Sequence, residues 1–265
     1  MSFSFIHITD HHLRGAEGDL IRGLSPAYTL RAVARHMAGT VAGSADFMVS
    51  TGDLVDDQSE AAYATATRLL GLTGQPAAAP GPLLATVEGL HEMPFYCLPG
   101  NHDDRDHFFR RLFGEAQARP LLNARFEHEG VQFVCLDWGP QTKALLHQQT
   151  LDYLAQSLRT GQPTILLMHY PVVPVGARWL DQYLADDLER FWQTVAGHNV
   201  LGILCGHLHT SYERIVENIP VWGLRSTVFQ CAVQDEPMFC LQPPHYRLVT
   251  VHKNVMTSRV FEVPL

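Results

Sequence analysis

The chain has 265 residues, 46% hydrophobic and 17% charged, a composition typical of a globular protein with a sizeable core. Its 19 Lys and Arg against 27 Asp and Glu give a formal net charge of −8. This charge argues against a general binder of nucleic acid or of an anionic membrane surface. No apolar run approaches the roughly 20 residues of a membrane-spanning helix.

Short apolar runs alternate with helical stretches, which predicts an α/β protein. The predicted strands cover residues 3–9, 47–51, 95–98, 124–128, 131–137, 164–169, 200–205, 245–253 and 255–263. The predicted helices cover residues 25–43, 59–70, 105–113, 148–159 and 181–196. Two Pro-containing stretches, 72–82 and 171–176, are predicted to be loops at the rim of a substrate site. With no internal repeat, we expect residues 1–265 to form one domain.

The first ten residues lack the basic and apolar segments of a signal peptide. The five cysteines are scattered and form no CxxC pair, so we interpret them as reduced thiols in a reducing compartment. These features together predict a cytoplasmic protein.

Polar clusters follow five of the predicted strands. They are Asp10-His11-His12, Gly52-Asp53, Gly100-Asn101-His102-Asp103, His169-Tyr170-Pro171 and Gly206-His207-Leu208-His209. Ligands of open α/β sheets bind outside the carboxyl ends of the strands, so these clusters are expected to converge. One cluster alone has an ordinary explanation, such as a turn or a helix cap, but five in this order are specific.

The clusters supply oxygen and nitrogen donors without a thiolate, which suits Mn, Fe, Zn, Co or Ni. In an extended segment, side chains at i and i+2 share a face, so Asp10 can chelate together with His12, and His207 with His209. Seven donors are too many for one tetrahedral ion and suit two ions that share a bridging carboxylate.

The chain resembles the calcineurin-like metallophosphoesterase superfamily over nearly its whole length. The resemblance lies in the order of five motifs, D-x-H, G-D, G-N-H-D, H and G-H-x-H. Within the superfamily, the chain is most similar to class III cyclic nucleotide phosphodiesterases and glycerophosphodiesterase-like enzymes. The subgroup resemblance rests on residues 51–56 (TGDLVD), 98–103 (LPGNHD), the QxLxxLxxxL pattern of 149–158, 225–230 (RSTVFQ) and 245–248 (HYRL).

The resemblance implies a four-layer α/β/β/α sandwich with two mixed sheets, and two divalent metal ions, with Mn, Fe or Zn expected. It implies that one ion is held by Asp10, His12, Asp53 and His209. It assigns the other to Asp53, Asn101, His169 and His207, so that Asp53 bridges the pair. Related enzymes are often dimeric, which makes a homodimer an expectation.

The same resemblance places His102 beside the scissile phosphate as proton donor or charge stabiliser, with Asp103 as its orienting partner. The implied reaction is attack on phosphorus by a hydroxide that bridges the two metals. His-Tyr-Pro-Val at 169–172 departs from the more usual His-His-Pro-Pro, which leaves specificity open. Asp56 stands where purple acid phosphatases carry a tyrosine ligand, which argues against the ferric purple type.

The leading hypothesis is therefore hydrolysis of a small phosphodiester, with a 3′,5′-cyclic nucleotide as first substrate. A phosphomonoesterase, glycerophosphodiesterase or pyrophosphohydrolase of the same superfamily is the alternative, because loops decide which ester fits. A catalytically inactive scaffold would have lost ligands, whereas all seven positions and His102 are present. A nuclease for polymers is disfavoured by the charge and by the lack of a basic stripe. Arg14 and Trp179 are more simply explained as a surface residue and a packing residue.

Overall fold

A computed structural model describes residues 2–41, 43–73, 83–85, 93–114 and 119–265. The helices it contains are α1 (Pro26–Val41), α2 (Glu60–Leu69), α3 (Arg105–Phe113), α4 (Gln148–Leu158), α5 (Arg178–Asp181) and α6 (Leu188–Val195). Capping residues fix several of their ends. Ser59 accepts from the Ala62 N–H at the start of α2, and Gly114 closes α3 in the left-handed conformation.

The first large sheet is mixed and has seven strands. In spatial order they are β15 (Val255–Glu262), β14 (His245–His252), β1 (Ser2–Ile8), β2 (Phe47–Ser50), β5 (Met93–Cys97), β4 (Leu83–Ala85) and β3 (Leu72–Thr73). Strands β1, β2 and β5 run parallel, with Phe5 opposite Phe47 and Met48 opposite Phe95. Their carboxyl ends therefore lie at one edge of the sheet.

The second large sheet is also mixed and has six strands. In spatial order they are β10 (Tyr212–Val216), β11 (Ile219–Gly223), β9 (Val200–Cys205), β8 (Thr164–Met168), β7 (Val131–Leu136) and β6 (Ala124–His128). Strands β7, β8, β9 and β11 run parallel to one another, whereas β6 and β10 pair antiparallel at the two edges. A separate two-stranded hairpin pairs β12 (Gln230–Cys231) with β13 (Phe239–Cys240).

The two large sheets pack face to face through aromatic side chains. Phe5 stacks on Phe47 with ring centroids 5.1 Å apart, and Phe133 of the second sheet contacts Phe5 edge-on at 5.4 Å. Such pairs add packing energy to the burial of their surface. One apolar core joins this interface to helices α1, α2 and α3. A second core joins the second sheet to helices α4, α5 and α6.

This arrangement confirms the predicted four-layer α/β/β/α fold with two mixed sheets, and most predicted elements lie within a few residues of their expected bounds. The predicted helix over 181–196 is wrong in its first third, since α5 ends at Asp181 and α6 begins at Leu188. The Asp181 carboxylate accepts hydrogen bonds from the N–H groups of Val175 and Gly176. Aspartates favour such local bonds over a helix interior.

The predicted loop over 72–82 begins with the short strand β3, and its residues 74–82 lie outside the described part of the chain. The loop over 171–176 is present, but Val172, Val173 and Val175 are buried in the second core rather than exposed at a rim. In the described residues, no helix is both long and apolar enough to cross a bilayer.

Candidate metal centre

All seven predicted ligands lie in loops that leave the carboxyl ends of five parallel strands. Asp10 and His12 follow β1, Asp53 follows β2, Asn101 follows β5, His169 follows β8, and His207 and His209 follow β9. The first four come from one sheet and the last three from the other. The face-to-face packing of the sheets therefore brings together residues that are almost 200 positions apart in the chain.

The backbone of these loops differs from the extended conformation that the sequence suggested. Asp10 and His12 have φ values of 55° and 46°, and His207 and His209 have values of 67° and 46°. Residues other than glycine rarely adopt this left-handed region, and positions that do so are concentrated at functional sites. Asp10 and His12 do enter one ligand group, but through left-handed residues and not through a strand face. His207 and His209 enter different groups, so they do not chelate together.

Two glycines allow the loops to approach one another this closely. A Cβ atom on Gly100 would lie 2.1 Å from Oδ1 of Asp53, and one on Gly206 would lie 2.2 Å from Oγ1 of Thr9. No side chain fits at either distance. These positions require glycine because of the space available.

The first ligand group contains Asp10, His12, Asp53 and His209, whose donor atoms all lie within 4.8 Å of one another. Nε2 of His209 is 3.2 Å from Oδ1 of Asp10 and 3.0 Å from Nε2 of His12. Nε2 of His12 is in turn 3.5 Å from Oδ2 of Asp53. All four residues are at most 4% exposed, so the group is largely shielded from bulk water.

The second ligand group contains Asp53, Asn101, His169 and His207. Nε2 of His169 lies 3.4 Å from Oδ2 of Asp53, 3.1 Å from Oδ1 of Asn101 and 3.1 Å from Nδ1 of His207. The same Asp53 oxygen faces both groups. This carboxylate therefore has the position needed to bridge two ions.

The Nδ1 atoms of three histidines point away from the centre, and their hydrogen-bond partners show whether the Nε2 atoms that face the centre carry a proton. Nδ1 of His209 donates to the Phe229 carbonyl at 2.9 Å, and Nδ1 of His169 donates to the Thr51 carbonyl at 2.8 Å. Nδ1 of His12 lies 3.2 Å from Oδ1 of Asp56. A carbonyl oxygen can only accept, so the Nε2 atoms of His209 and His169 carry lone pairs in the neutral ring.

Lone pairs therefore face lone pairs in both groups. Nε2 of His12 and Nε2 of His209 meet at 3.0 Å, and Nε2 of His169 meets carboxylate and amide oxygens. Such an arrangement of neutral rings is electrostatically unfavourable unless a proton or a metal ion lies between the atoms. Imidazole nitrogens together with carboxylate and amide oxygens suit a first-row divalent metal. The residues present fit a pair of such ions.

Charge coupling within the centre is strong. His209 and His169 hold the pKa of the buried Asp10 carboxyl well below its usual range, although burial acts in the opposite direction. Burial also opposes the charged form of His169, yet Asp53 and Asp10 raise its pKa to about 9. Burial lowers the pKa of His207 to about 3, with His169 acting in the same sense. The carboxylates thus provide a negative field that favours cations.

His102 lies beside the centre and differs from the ligands in being exposed. Its side chain is 41% exposed, and its ring contacts that of His12 with centroids 4.7 Å apart. Its backbone N–H donates to Oδ1 of Asp53 at 2.9 Å. Nδ1 of His102 faces Oδ1 of Asp56 at 3.5 Å, which turns the opposite ring nitrogen toward the cavity.

The expected orienting role of Asp103 needs correction, because Asp56 is the carboxylate that faces His102. Asp103 is buried and accepts hydrogen bonds from the N–H groups of Leu54, Val55 and Gly100. It thus ties the loop after β5 to the loop after β2. Asp56 follows Asp53 by three residues, and that spacing is the only signal in the sequence that could have identified it.

A hydrogen-bonded chain lies beneath the centre. Nε2 of His7 lies 2.9 Å from Oγ1 of Thr51, Thr51 donates to Thr9 at 2.8 Å, and Thr9 donates to Oδ2 of Asp10 at 2.6 Å. Because the Thr51 hydroxyl donates onward, His7 is the donor in the first bond. This chain fixes the orientation of the Asp10 carboxylate. The buried His7 therefore has a positioning role.

A cavity of about 450 Å³ opens above the two ligand groups. Its wall includes Arg14, which the sequence analysis interpreted as a surface residue, and Trp179, which is 7% exposed. Sequence reasoning did not identify three other wall residues. They are Arg22, Phe229 and Phe239. They lie in irregular segments and in the short hairpin, where no periodicity marks them.

Comparisons with known proteins agree with this geometry. Residues 3–211 match the family model described as calcineurin-like phosphoesterase. A Vibrio vulnificus protein named 3′,5′-cyclic adenosine monophosphate phosphodiesterase CpdA is 29% identical over 271 residues, 96% of this chain and 87% of that protein. A probable cyclic nucleotide phosphodiesterase of Psychrobacter arcticus is 28% identical over 197 residues, 70% of this chain and 64% of that protein.

Among solved structures, a dimetal phosphatase from Danio rerio superposes with a TM-score of 0.66. The superposition covers 99% of each chain at 16% sequence identity. At this identity the likeness concerns the fold, and it agrees with the two-sheet sandwich described above.

Proposed function

Because the chain belongs to the calcineurin-like phosphoesterase family, we propose that it is a two-metal phosphodiesterase whose substrates are small diesters, 3′,5′-cyclic nucleotides foremost. The observation that carries the proposal is the pair of ligand groups that share Asp53, in which lone pairs face one another. The names of the Vibrio and Psychrobacter relatives support the choice of substrate class.

Each residue has a distinct part in the proposed site. Asp10, His12, Asp53 and His209 would hold one ion, and Asp53, Asn101, His169 and His207 the other. Mn, Fe and Zn fit this nitrogen and oxygen donor set best. When bound, the two ions supply Lewis-acid chemistry that polarises the phosphoryl group and makes water acidic near neutral pH.

The chain's own residues complete the site around the ions. His102 is exposed to the cavity and would donate a proton to the leaving oxygen, with Asp56 orienting its ring. The carbonyl oxygens that accept hydrogen bonds from the outer histidine nitrogens keep the ligand rings fixed. Since the nucleophile would come from water, no covalent phosphoenzyme is expected.

A polymeric substrate is not favoured by the wall of the cavity. Among the described residues, Arg14 and Arg22 are its only Lys or Arg contributions. Nε of Arg14 lies 3.9 Å from Asp56 and 4.0 Å from Asp57, so its charge is partly compensated. A nuclease needs a longer basic surface along the phosphate backbone.

Three further expectations accompany the proposal. The cysteines among the described residues are all unpaired, which supports a reducing compartment such as the cytoplasm. The protein is proposed to need no nucleic-acid or membrane partner. A homodimer remains a prediction from the family resemblance, and light scattering on the purified protein tests it.

The decisive experiment loads the protein with manganese and compares hydrolysis of bis(p-nitrophenyl) phosphate with that of p-nitrophenyl phosphate. We expect the diester to be preferred. Asp53→Asn should lose bound metal and at least about 100-fold in activity, since even outer partners of ligands cost 10- to 100-fold. Asp57→Asn is the matched control, because Asp57 lies in the same loop and outside both ligand groups. A preference for the monoester would overturn the proposal in favour of a phosphatase.

A further inference from the structure

Three aromatic rings and one guanidinium form a continuous wall on one side of the cavity. Phe239 lies between Phe229 and Trp179, with centroids 5.7 Å from each. The guanidinium carbon of Arg22 lies 3.2 Å from the centroid of the Phe239 ring and 5.1 Å from that of Phe229. We refer to Arg22, Trp179, Phe229 and Phe239 as the aromatic wall.

We propose that the aromatic wall is the binding site for the planar base of the substrate, with the Arg22 guanidinium stacked on Phe239 as the platform against which the base lies. This inference rests on the proposed function, because it assigns one part of a cyclic nucleotide to one part of the cavity. It identifies specificity-determining residues that do not take part in the chemical step.

The chemistry of the wall matches a nucleobase. Aromatic rings and guanidinium planes are the surfaces on which bases stack in proteins. Phe239 is 41% exposed, so part of its ring is free to contact a ligand. Arg22 is itself exposed, so the guanidinium that lies over Phe239 is available to stack with a base.

The same wall argues against a quaternary ammonium group such as choline, which also binds to aromatic rings. Arg22 already places a positive charge against Phe239 and near Phe229. A second cation at this site would be repelled by the guanidinium. The aromatic wall therefore favours a neutral base over the headgroup of a glycerophosphocholine.

Phe229 connects the wall to the metal centre. Its ring centroid lies 4.5 Å from that of His209 and 5.6 Å from that of His12. Its carbonyl accepts the hydrogen bond from Nδ1 of His209. A phosphate at the ligand groups and a ring on Phe239 would be separated by the width of one aromatic residue, a gap that a ribose can span.

The wall is held in place from two sides. Trp179 donates from Nε1 to the Ala232 carbonyl at 3.1 Å, which anchors the β12–β13 hairpin to α5. Arg22 lies in a tight turn closed by the Ile21–Leu24 bridge, with a left-handed φ of 50°. The stacking surface is therefore largely formed before a ligand arrives, which lowers the entropic cost of binding.

The test compares two substrates of the manganese-loaded enzyme that differ only in the base. They are 3′,5′-cyclic AMP and the methyl riboside 3′,5′-cyclic phosphate, which has no base. We expect Phe239→Ala to lower kcat/KM for cyclic AMP by about tenfold or more, through KM, as loss of one base stack does. The baseless diester should change less than about twofold. Phe239→Tyr keeps the ring and should keep cyclic AMP turnover.

Leu241→Ala is the matched control, since Leu241 follows β13, is 63% exposed and lies outside the cavity wall. A second readout does not depend on turnover. Calorimetry should show that Phe239→Ala weakens binding of 5′-AMP and leaves binding of ribose 5-phosphate unchanged.

Two results would overturn the inference while the proposed function stands. One is an equal loss on both cyclic diesters in Phe239→Ala, and the other is no loss on either. Faster turnover of glycerophosphocholine than of cyclic AMP by the wild-type enzyme would instead contradict the proposed function in its choice of cyclic nucleotides as foremost substrates. If the wild-type enzyme hydrolyses neither cyclic diester but accepts the monoester, the proposed function itself has failed.

Discussion

The ligand groups and the aromatic wall border the same cavity but are built in opposite ways. Five of the seven ligand residues are almost completely buried, and hydrogen bonds to backbone carbonyls fix His169 and His209. The wall is partly exposed, as Phe239 shows, and is held by ring contacts between segments that are remote in sequence. The contrast indicates that the chemistry is fixed by the sheets, whereas selectivity depends on loops that can vary independently.

The largest effect is expected from His102→Ala, which leaves the ligands in place. A proton donor matters most when the leaving group is a strongly basic alkoxide. Turnover of cyclic AMP should therefore fall by about 100-fold or more. Turnover of bis(p-nitrophenyl) phosphate should fall by less than about tenfold, because p-nitrophenolate leaves without protonation.

Steady-state kinetics with both substrates tests this difference, and the exposed His198→Ala is the control. Equal losses on the two esters would assign His102 to charge stabilisation and not to proton donation.

A smaller effect is expected when one methyl group is added beside the metal centre. Gly100→Ala would place a Cβ atom 2.1 Å from an Asp53 oxygen and 2.6 Å from the Asp53 nitrogen. We expect the free energy of unfolding to fall by about 1–3 kcal/mol, as overpacking does, with loss of bound metal.

Urea denaturation and metal analysis measure both quantities. Gly18→Ala should change neither, because no atom lies within 4 Å of its added Cβ. An unchanged metal content in Gly100→Ala would show that the ligand loops tolerate more movement than their packing suggests.

The hydrogen-bonded chain beneath the centre predicts a pH dependence of stability. Burial, aided by Arg247, lowers the pKa of His7 to about 3, so the unfolded chain binds a proton that the folded chain excludes. This contribution to stability is complete above about pH 6.5 and declines as the pH falls toward 3. Between pH 6.5 and 5.5, wild type should lose about 1 kcal/mol more than His7→Gln.

Urea denaturation of the metal-loaded proteins at the two pH values gives this difference. If the free energy of unfolding falls equally in wild type and His7→Gln, other groups account for the whole acid sensitivity.

The smallest effect is expected from removal of the Arg14 side chain at the rim of the cavity. Arg14 lines the cavity but is 35% exposed and faces two aspartates at 3.9 and 4.0 Å. Its charge is screened, so Arg14→Ala should raise KM for cyclic AMP by about threefold or less. Arg190→Ala is the control, since Arg190 lies on α6 outside the cavity wall, is 43% exposed and faces Asp187 at 3.6 Å. A loss of more than tenfold would assign Arg14 to direct contact with the phosphate.

The two regions also differ in how far the sequence predicts them. The positions of Asp53 and His169 were predictable because each follows an apolar run, and parallel strands end at a common edge. Phe229, Phe239 and Arg22 carry no periodicity, and only the packed structure brings them together. The partner of His102 was mistaken for the same reason, since neighbours in sequence such as Asp103 need not be neighbours in space.

The ligands come from both sheets, and this has a consequence for the lifetime of the protein. Ions bound there would fasten the two halves of the sandwich across their shared edge, and unfolding would require their release. At a free metal concentration 100 times the Kd, one such ion adds about 2.7 kcal/mol to the free energy of unfolding. Metal starvation would then shorten the survival of the chain in the cell, in addition to removing its activity.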